Sequence, residues 1–255
     1  MPNFEGVSPE LADAPGRSLQ HSTVRPIGVY VLSGLAIDAT DRQARLLAVD
    51  AMRGYLVEVD PYTHNTVILN PHTVTDWIGA TGLAVWQDTV WFTQGESVFC
   101  SSLAKLVPTP FTRLSYPANG VAVWDSKVYV TCQKTGYIHI FDRDSGECVE
   151  KIRQPGIGVE NVTATEDALW VCDRDEQTVY CLDRETGNLR YSALTPFSSP
   201  TGITFYPQAN GEAPICYVAY ADEEPYIRDD PNAESPYQLT FRDRTFLHPF
   251  HTHYD

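Results

Sequence analysis

Apolar and polar positions alternate along this chain in short bursts, and the bursts recur. NGVAVWDSKVYVTCQ (119–133) aligns without gaps on ENVTATEDALWVCDR (160–174). Each is followed by an alternating segment that ends in Asp and a turn, YIHIFDRDSG (137–146) after the first and TVYCLDRETG (178–187) after the second. Alternation with period two, bounded by turn residues, predicts β-strands, so each unit reads as four short strands. A third copy, TGLAVWQDTVWFTQG (81–95), lies upstream, and weaker ones begin at Gly34 and Gly202. The anchors Gly34, Gly82, Gly120, Asn161 and Gly202 are 48, 38, 41 and 41 residues apart, the period of propeller blades. The pattern predicts an all-β protein, a β-propeller of about five four-stranded blades closed by an N-terminal strand.

Within a unit the first strand (83–85, 121–123) is small or apolar throughout, which suits the innermost position of a blade, buried on both faces. The second strand (VWFTQ, VYVTC, LWVCD) places Trp91, Tyr129 and Trp170 at one equivalent position. That column is expected to pack blade against blade, each ring burying on the order of 150–250 Å². The third strand ends at Asp60, Asp142 or Asp183, whose carboxylates are expected to accept backbone N–H groups in the following turn, with Gly146 and Gly187 supplying positive φ. IGVYVLS (27–33) reads as a strand outside the four-strand count, and 27–32 is assigned the closing role that removes a free sheet edge. The chain divides into an N-terminal extension (1–24), the propeller (25–220), and an acidic loop with a terminal strand (221–255). In that last part YQLTFRD (237–243) either completes the final blade or opens a further domain of a longer protein.

Composition narrows the partners. Lys+Arg number 18 against 33 Asp+Glu, a formal charge of −15, and affinity for phosphate backbones and anionic lipid surfaces comes from Lys and Arg. Nucleic acid and membrane partners are therefore not expected. No run reaches the ~18 apolar residues of a membrane helix, and the first residues have neither the basic region nor the apolar core of a secretory signal. The six cysteines form no C-x-x-C pair and mostly sit in strand patterns, which reads as buried reduced thiols and a cytoplasmic location. Asn161-Val162-Thr163 matches a glycosylation sequon but falls at the start of an inner strand.

In a propeller the loops entering the inner strands and leaving the second strands crowd one face. Ser33, Thr81, Asn119, Glu160 and Thr201 precede the inner strands; Asp50, Gln94, Gln133, Asp173 and Tyr220 follow the second ones. A ring mixing the carboxylates of Glu160, Asp173 and Asp50 with oxygens of Asn119, Thr81 and Thr201 suits Ca²⁺ or Mg²⁺. Glu160 and Asp173 are the candidate general acid and base, and Thr81, Asn119, Thr201, Gln94 and Gln133 the candidate ligand contacts. Polar side chains that merely hydrate trapped water are the plainer alternative. His248, His251, His253 and Asp255 form a terminal cluster of metal-ligand type. No nucleophile elbow, phosphate-binding loop, H-E-x-x-H or dinucleotide fingerprint is present.

TGLAVWQDTVWFTQG resembles the repeat of streptogramin B lyases, and residues 30–220 resemble the wider group of NHL-repeat proteins and the senescence-marker/gluconolactonase family. The lactonase resemblance implies a channel metal held by Glu, Asn and Asp. Asn119, followed by Gly120, matches the family's Asn-Gly position, Glu160 falls at the corresponding place one blade on, and Thr81 and Thr201 stand at other ligand positions. The lyase resemblance implies a His/Glu catalytic set with Mg²⁺, whereas the ring here has no His. Those families have six or seven blades, against the five units visible here. The sequence reading is a binding or interaction scaffold for a protein or small-molecule ligand at the channel face, as the front module of a larger protein. A metal-dependent hydrolase or lyase using Glu160, Asn119 and Asp173 is the alternative, and a purely structural domain positioning a catalytic domain beyond Asp255 is a third class.

Overall fold

The structure is a computed structural model that describes residues 17–18, 25–26, 32–40, 43–60, 65–195, 199–207, 214–221 and 245–250, with side chains for 33–40, 43–60, 65–195, 199–207 and 214–220. Within these, twenty-one strands form five sheets. Blade one holds β3 (Leu32–Asp38), β4 (Arg45–Asp50), β5 (Tyr55–Val59) and β6 (Thr66–Ile68). Blade two holds β7 (Ala80–Trp86), β8 (Thr89–Gln94), β9 (Ser97–Ser102) and β10 (Thr109–Arg113). Blade three holds β11 (Val121–Trp124), β12 (Lys127–Cys132), β13 (Tyr137–Asp142) and β14 (Cys148–Arg153). Blade four holds β15 (Val159–Ala164), β16 (Ala168–Asp173), β17 (Thr178–Asp183) and β18 (Leu189–Leu194). All four are antiparallel meanders in chain order.

Blade five is composite. It takes β19 (Pro200–Tyr206), β20 (Ile215–Ala221) and β21 (Thr245–Phe250), and its outermost strand is β2 (Arg25–Pro26) from the N-terminal part of the chain. A further segment, β1 (Arg17–Ser18), lies parallel along the outer edge of blade four. Closure by an N-terminal strand is thus present, and among the described residues Arg25–Pro26 supplies it. Leu32 already belongs to the inner strand of blade one, residues 27–31 lie outside the described residues, and Arg25–Pro26 closes the last sheet. The acidic stretch and the 237–243 strand expected from the sequence also lie outside them. Among the described residues no helix is long and apolar enough to cross a membrane.

The inner strands β3, β7, β11, β15 and β19 neighbour one another in turn, and β19 returns to β3, so the ring is closed. Five apolar clusters fill the five interfaces between blades. One large side chain from each second strand, Leu47, Trp91, Tyr129, Trp170 and Tyr217, enters the interface with the next blade. Each stands opposite a small residue of its own inner strand: Ala36, Ala84, Ala122, Thr163 and Thr204. The aromatic column anticipated at 91, 129 and 170 is the interblade core, and interdigitation of large against small at each step fills it.

The turns at the far end follow the Asp logic. Asp142 Oδ1 accepts the N–H groups of Asp144 (3.2 Å) and Ser145 (2.8 Å), and Asp183 Oδ1 those of Glu185 (3.1 Å) and Thr186 (2.8 Å). Gly146 and Gly187 both have φ of 71°.

Candidate functional site

The residues just before the five anchors sit at β-bulges. The pairing register shifts between Leu32 and Gly34, between Ala80 and Leu83, between Val159 and Asn161, and between Pro200 and Gly202. In blade three Thr131 faces both Asn119 and Gly120, donating to Gly120 O and accepting from Asn119 N–H. A bulge re-aims the extra side chain. Ser33, Thr81, Asn119, Glu160 and Thr201 are therefore gathered at the end of the axis where the inner strands begin, here called the entry face.

What these side chains do there is tie blade to blade. Ser33 Oγ donates to Ala80 O of blade two (2.7 Å), and Thr81 Oγ1 donates to Ala118 O ahead of blade three (3.3 Å). Asn119 Nδ2 donates to Glu160 Oε2 of blade four (3.4 Å), while its Oδ1 accepts Gln133 N–H (3.2 Å). One layer down, Thr93 Oγ1 accepts Gly82 N–H (2.8 Å) and donates to Asn119 O (3.0 Å). Thr131 Oγ1 repeats this with Gly120 N–H (2.7 Å) and Glu160 O (3.3 Å). In blade four the buried Cys172 takes the place of these threonines, and burial pushes its thiol up. Asn161, fully buried, stands where the other inner strands carry glycine. Its Nδ2 reaches across the axis to Thr201 O (3.4 Å) of blade five and Ser33 O (3.3 Å) of blade one. The sequon is thereby sealed inside the ring.

The other predicted residues are spread around the rim. Asp50 and Asp173, both fully buried at the ends of equivalent strands, turn their carboxylates back on their own loops. Asp50 Oδ1 accepts Met52 and Arg53 N–H (3.1 and 3.2 Å); Asp173 accepts Glu176 N–H on Oδ1 and Gly158 N–H on Oδ2 (both 2.9 Å). Burial pushes the Asp173 carboxyl above the usual range, against those two hydrogen bonds, and the nearby Glu176 charge adds to the rise. Gln94 Nε2 donates to Ile78 O (2.5 Å) in the loop that enters its own blade, and Gln133 Nε2 to Ile157 O (3.2 Å) in the loop that enters the next. Glu160 Oε1 lies 3.5 Å from Arg174 Nη1. Tyr220 is buried in the interface between blades four and five.

The structure thus brings Asn119 and Glu160 together and leaves Asp50 on blade one and Asp173 in its own turn. Among the described residues no group of three or more His, Cys, Asp or Glu side chains is placed to hold a metal ion. Of the carboxylates proposed as Ca²⁺ or Mg²⁺ ligands, Asp50 and Asp173 already accept backbone N–H groups of their own loops, and Glu160 is engaged by Asn119 Nδ2 and Arg174. The side chains of His248, His251, His253 and Asp255 lie outside the described residues. Thr93, Thr131 and Asn161 carry the interblade bonds and were not among the candidates. The signal was a polar residue recurring at one buried position of VWFTQ and VYVTC.

No protein-family model and no curated protein matches the sequence. Solved structures do match by fold. The crystal structure of Myxococcus xanthus glutaminyl cyclase superposes with a TM-score of 0.61 at 14% identity, covering 79% of this chain and 91% of that one. A chain of a nidogen/laminin complex gives 0.53 at 12% identity, covering 66% and 65%. A streptogramin B lyase structure gives 0.46 at 12% identity, covering 77% and 65%. At these identities the likeness of the first two is one of fold, and the fold is a β-propeller.

Proposed function

We propose that the protein is a binding scaffold that docks a partner on its entry face. The observation that carries this reading is where the exposed apolar side chains lie. Met52, Ile78, Tyr116, Tyr137 and Ile157 all sit in the loops or strand starts of that face, with Ile157 70% and Met52 55% exposed. Ile68 and Leu194 add to its rim, while Val107, Val149 and Leu189 lie toward the opposite end and Val67 on the outer edge. Apolar groups that converge on one rigid surface mark interaction sites better than the same groups scattered. The ring inside this crescent spends most of its polar atoms on interblade hydrogen bonds, which suits a rigid platform more than a reaction centre. Blades as anchors and loops as contacts is a common division of labour in rigid scaffolds.

A photo-reactive phenylalanine analogue placed at Tyr116, and separately at Val107, tests the reading. Covalent adducts are expected from position 116 and not from 107. Adducts from 107 alone, or equally from both, would remove the entry face from consideration.

A further inference from the structure

The outer edges of the blades are not alike. We infer that β14, the outermost strand of blade three, accepts an extended acidic peptide as a fifth strand, with carboxylates at alternate positions facing Lys151 and Arg153. The site lies on the side of the disc and stands independently of the entry-face reading.

The molecule supplies its own template for such an addition. On blade four the outermost strand β18 carries β1 along its outer side, Arg17 and Ser18 pairing in parallel with Ala193 and Leu194. Ile152 and Arg153 hold the same places in β14, because they pair with Ile138 and Tyr137 as Ala193 and Leu194 pair with Val179 and Thr178. Among the described residues β14 pairs only with β13, so its outer side offers backbone N–H and C=O groups to an incoming chain. The other outer strands offer less. β6 has three residues, β2 has two, β10 carries Pro110 and a bulge beside it, and β18 already has β1.

Charge selects the peptide. Lys151 stands opposite His139 and Arg153 opposite Tyr137, on one face of the sheet, and both basic side chains are exposed. Every other arginine with a described side chain lies within ion-pair distance of a carboxylate. Arg153 and Lys151 have no such partner among the described residues. In an added strand the residues opposite these two are themselves two apart and share that face, so carboxylates there form cross-strand pairs of opposite charge. Blade four has Ser192 and Leu194 at the equivalent places, which makes the basic pair particular to blade three. A second copy of β14 does not meet the requirement. Two-fold pairing centred on Glu150 or Lys151 sets that charge against itself, and centred on Ile152 it sets Lys151 against Arg153. A phosphate chain needs an extended run of cations and would approach a molecule of charge −15.

Fluorescence anisotropy of a labelled Val-Glu-Val-Glu-Val peptide with the full chain, joined to hydrogen exchange of the complex, tests this. Saturable binding with a Kd below ~1 mM is expected, with slowed exchange of amides in 150–153 and not in β10. Lys151→Glu and Arg153→Glu should each weaken binding at least ~5-fold by setting like charges opposite one another. Lys105→Glu, the same change of charge in an exposed turn after β9, should leave it unchanged. Val-Glu-Glu-Val-Val has the same composition but can turn only one carboxylate toward the basic pair, and should bind more weakly by a similar factor. All three variants alter exposed side chains, and their melting temperatures should match the wild type. Absence of saturable binding, equal binding of the two peptides, indifference to both blade-three reversals, or protection away from β14 overturns the inference. So does a short oligothymidylate that displaces the peptide at equal concentration, which would assign Lys151 and Arg153 to a phosphate chain.

Discussion

Asn161 shows how much one side chain can hold in a ring of this size. Gly34, Gly82, Gly120 and Gly202 let neighbouring inner strands approach closely, and a Cβ built on Gly120 would lie 2.6 Å from Asn161 Cα and 2.9 Å from Glu160 O. Those are backbone atoms and cannot swing aside. Gly120→Ala is therefore expected to destabilise by about 1–3 kcal/mol or more through overpacking. Gly202→Ala, where the nearest atoms are Leu35 Cγ and N at 3.2 Å, should cost less, and urea unfolding of the pair gives the order. At the fourth anchor the Asn161 amide does what close approach does elsewhere, bonding to blades five and one. Asn161→Ala leaves two carbonyls of the ring without this donor, an expected loss of about 1–3 kcal/mol for each that stays buried and unpaired. Asn161→Asp should be worse, because it turns an acceptor toward two acceptors. In the sequence this residue read only as a poor match to glycine, since its partners are 40 and 128 positions away.

At the scale of strands and turns the alternation was legible and the use of the polar residues was not. The column at 91, 129 and 170 repeats in phase with the anchors, so its packing role could be read directly. The entry ring also repeats in phase, and polar repeats at a channel mouth looked like a ligand set. Thr81 and Ser33 instead reach backbone carbonyls of the next blade, contacts that depend on how closely two blades sit and leave no mark within either. The pairing of Arg25–Pro26 in the last blade was not legible for a related reason. β2 has two residues and no period, while the apolar run beside it was conspicuous. The far-end turns were legible because their bonds are local. Asp183 also receives Arg190 Nη2 at 2.7 Å, while Arg190 Nη1 binds Asp167 at 2.6 Å. Arg190, helped by the Thr186 N–H, holds the Asp183 carboxyl down at about 2. A carboxylate lowered on folding stabilises above its unfolded value near pH 4, and that contribution is lost as pH falls through the folded value. The melting-temperature gap between wild type and Arg190→Met should therefore be largest above about pH 4 and close toward pH 2. It will be modest throughout, because both side chains are partly solvated.

The whole molecule is stable only in so far as the ring is shut. Five interfaces share one construction, a large second-strand side chain set against a neighbouring blade, and four of them join blades adjacent in sequence. The fifth, where Tyr217 of blade five meets Leu35, Leu46, Val57 and Val59 of blade one, joins the ends of the propeller. The repeat count made a ring readable from the sequence, but only the structure shows blade five seated against blade one. A closed ring makes the interfaces equivalent in kind, whereas an open arc would leave Tyr217 facing water. Tyr129→Ala, in the interface between blades three and four, is expected to cost ~3–5 kcal/mol, as large aromatic-to-alanine changes in cores do. In the closed ring Tyr217→Ala should cost a comparable amount, and chemical denaturation should show one cooperative transition for both variants. If Tyr217→Ala instead leaves the midpoint where it is in the wild type, or splits the transition, blade five is not packed against blade one in solution. The entry ring, whose Asn161 spans blades four, five and one, would then lose the frame that assembles it.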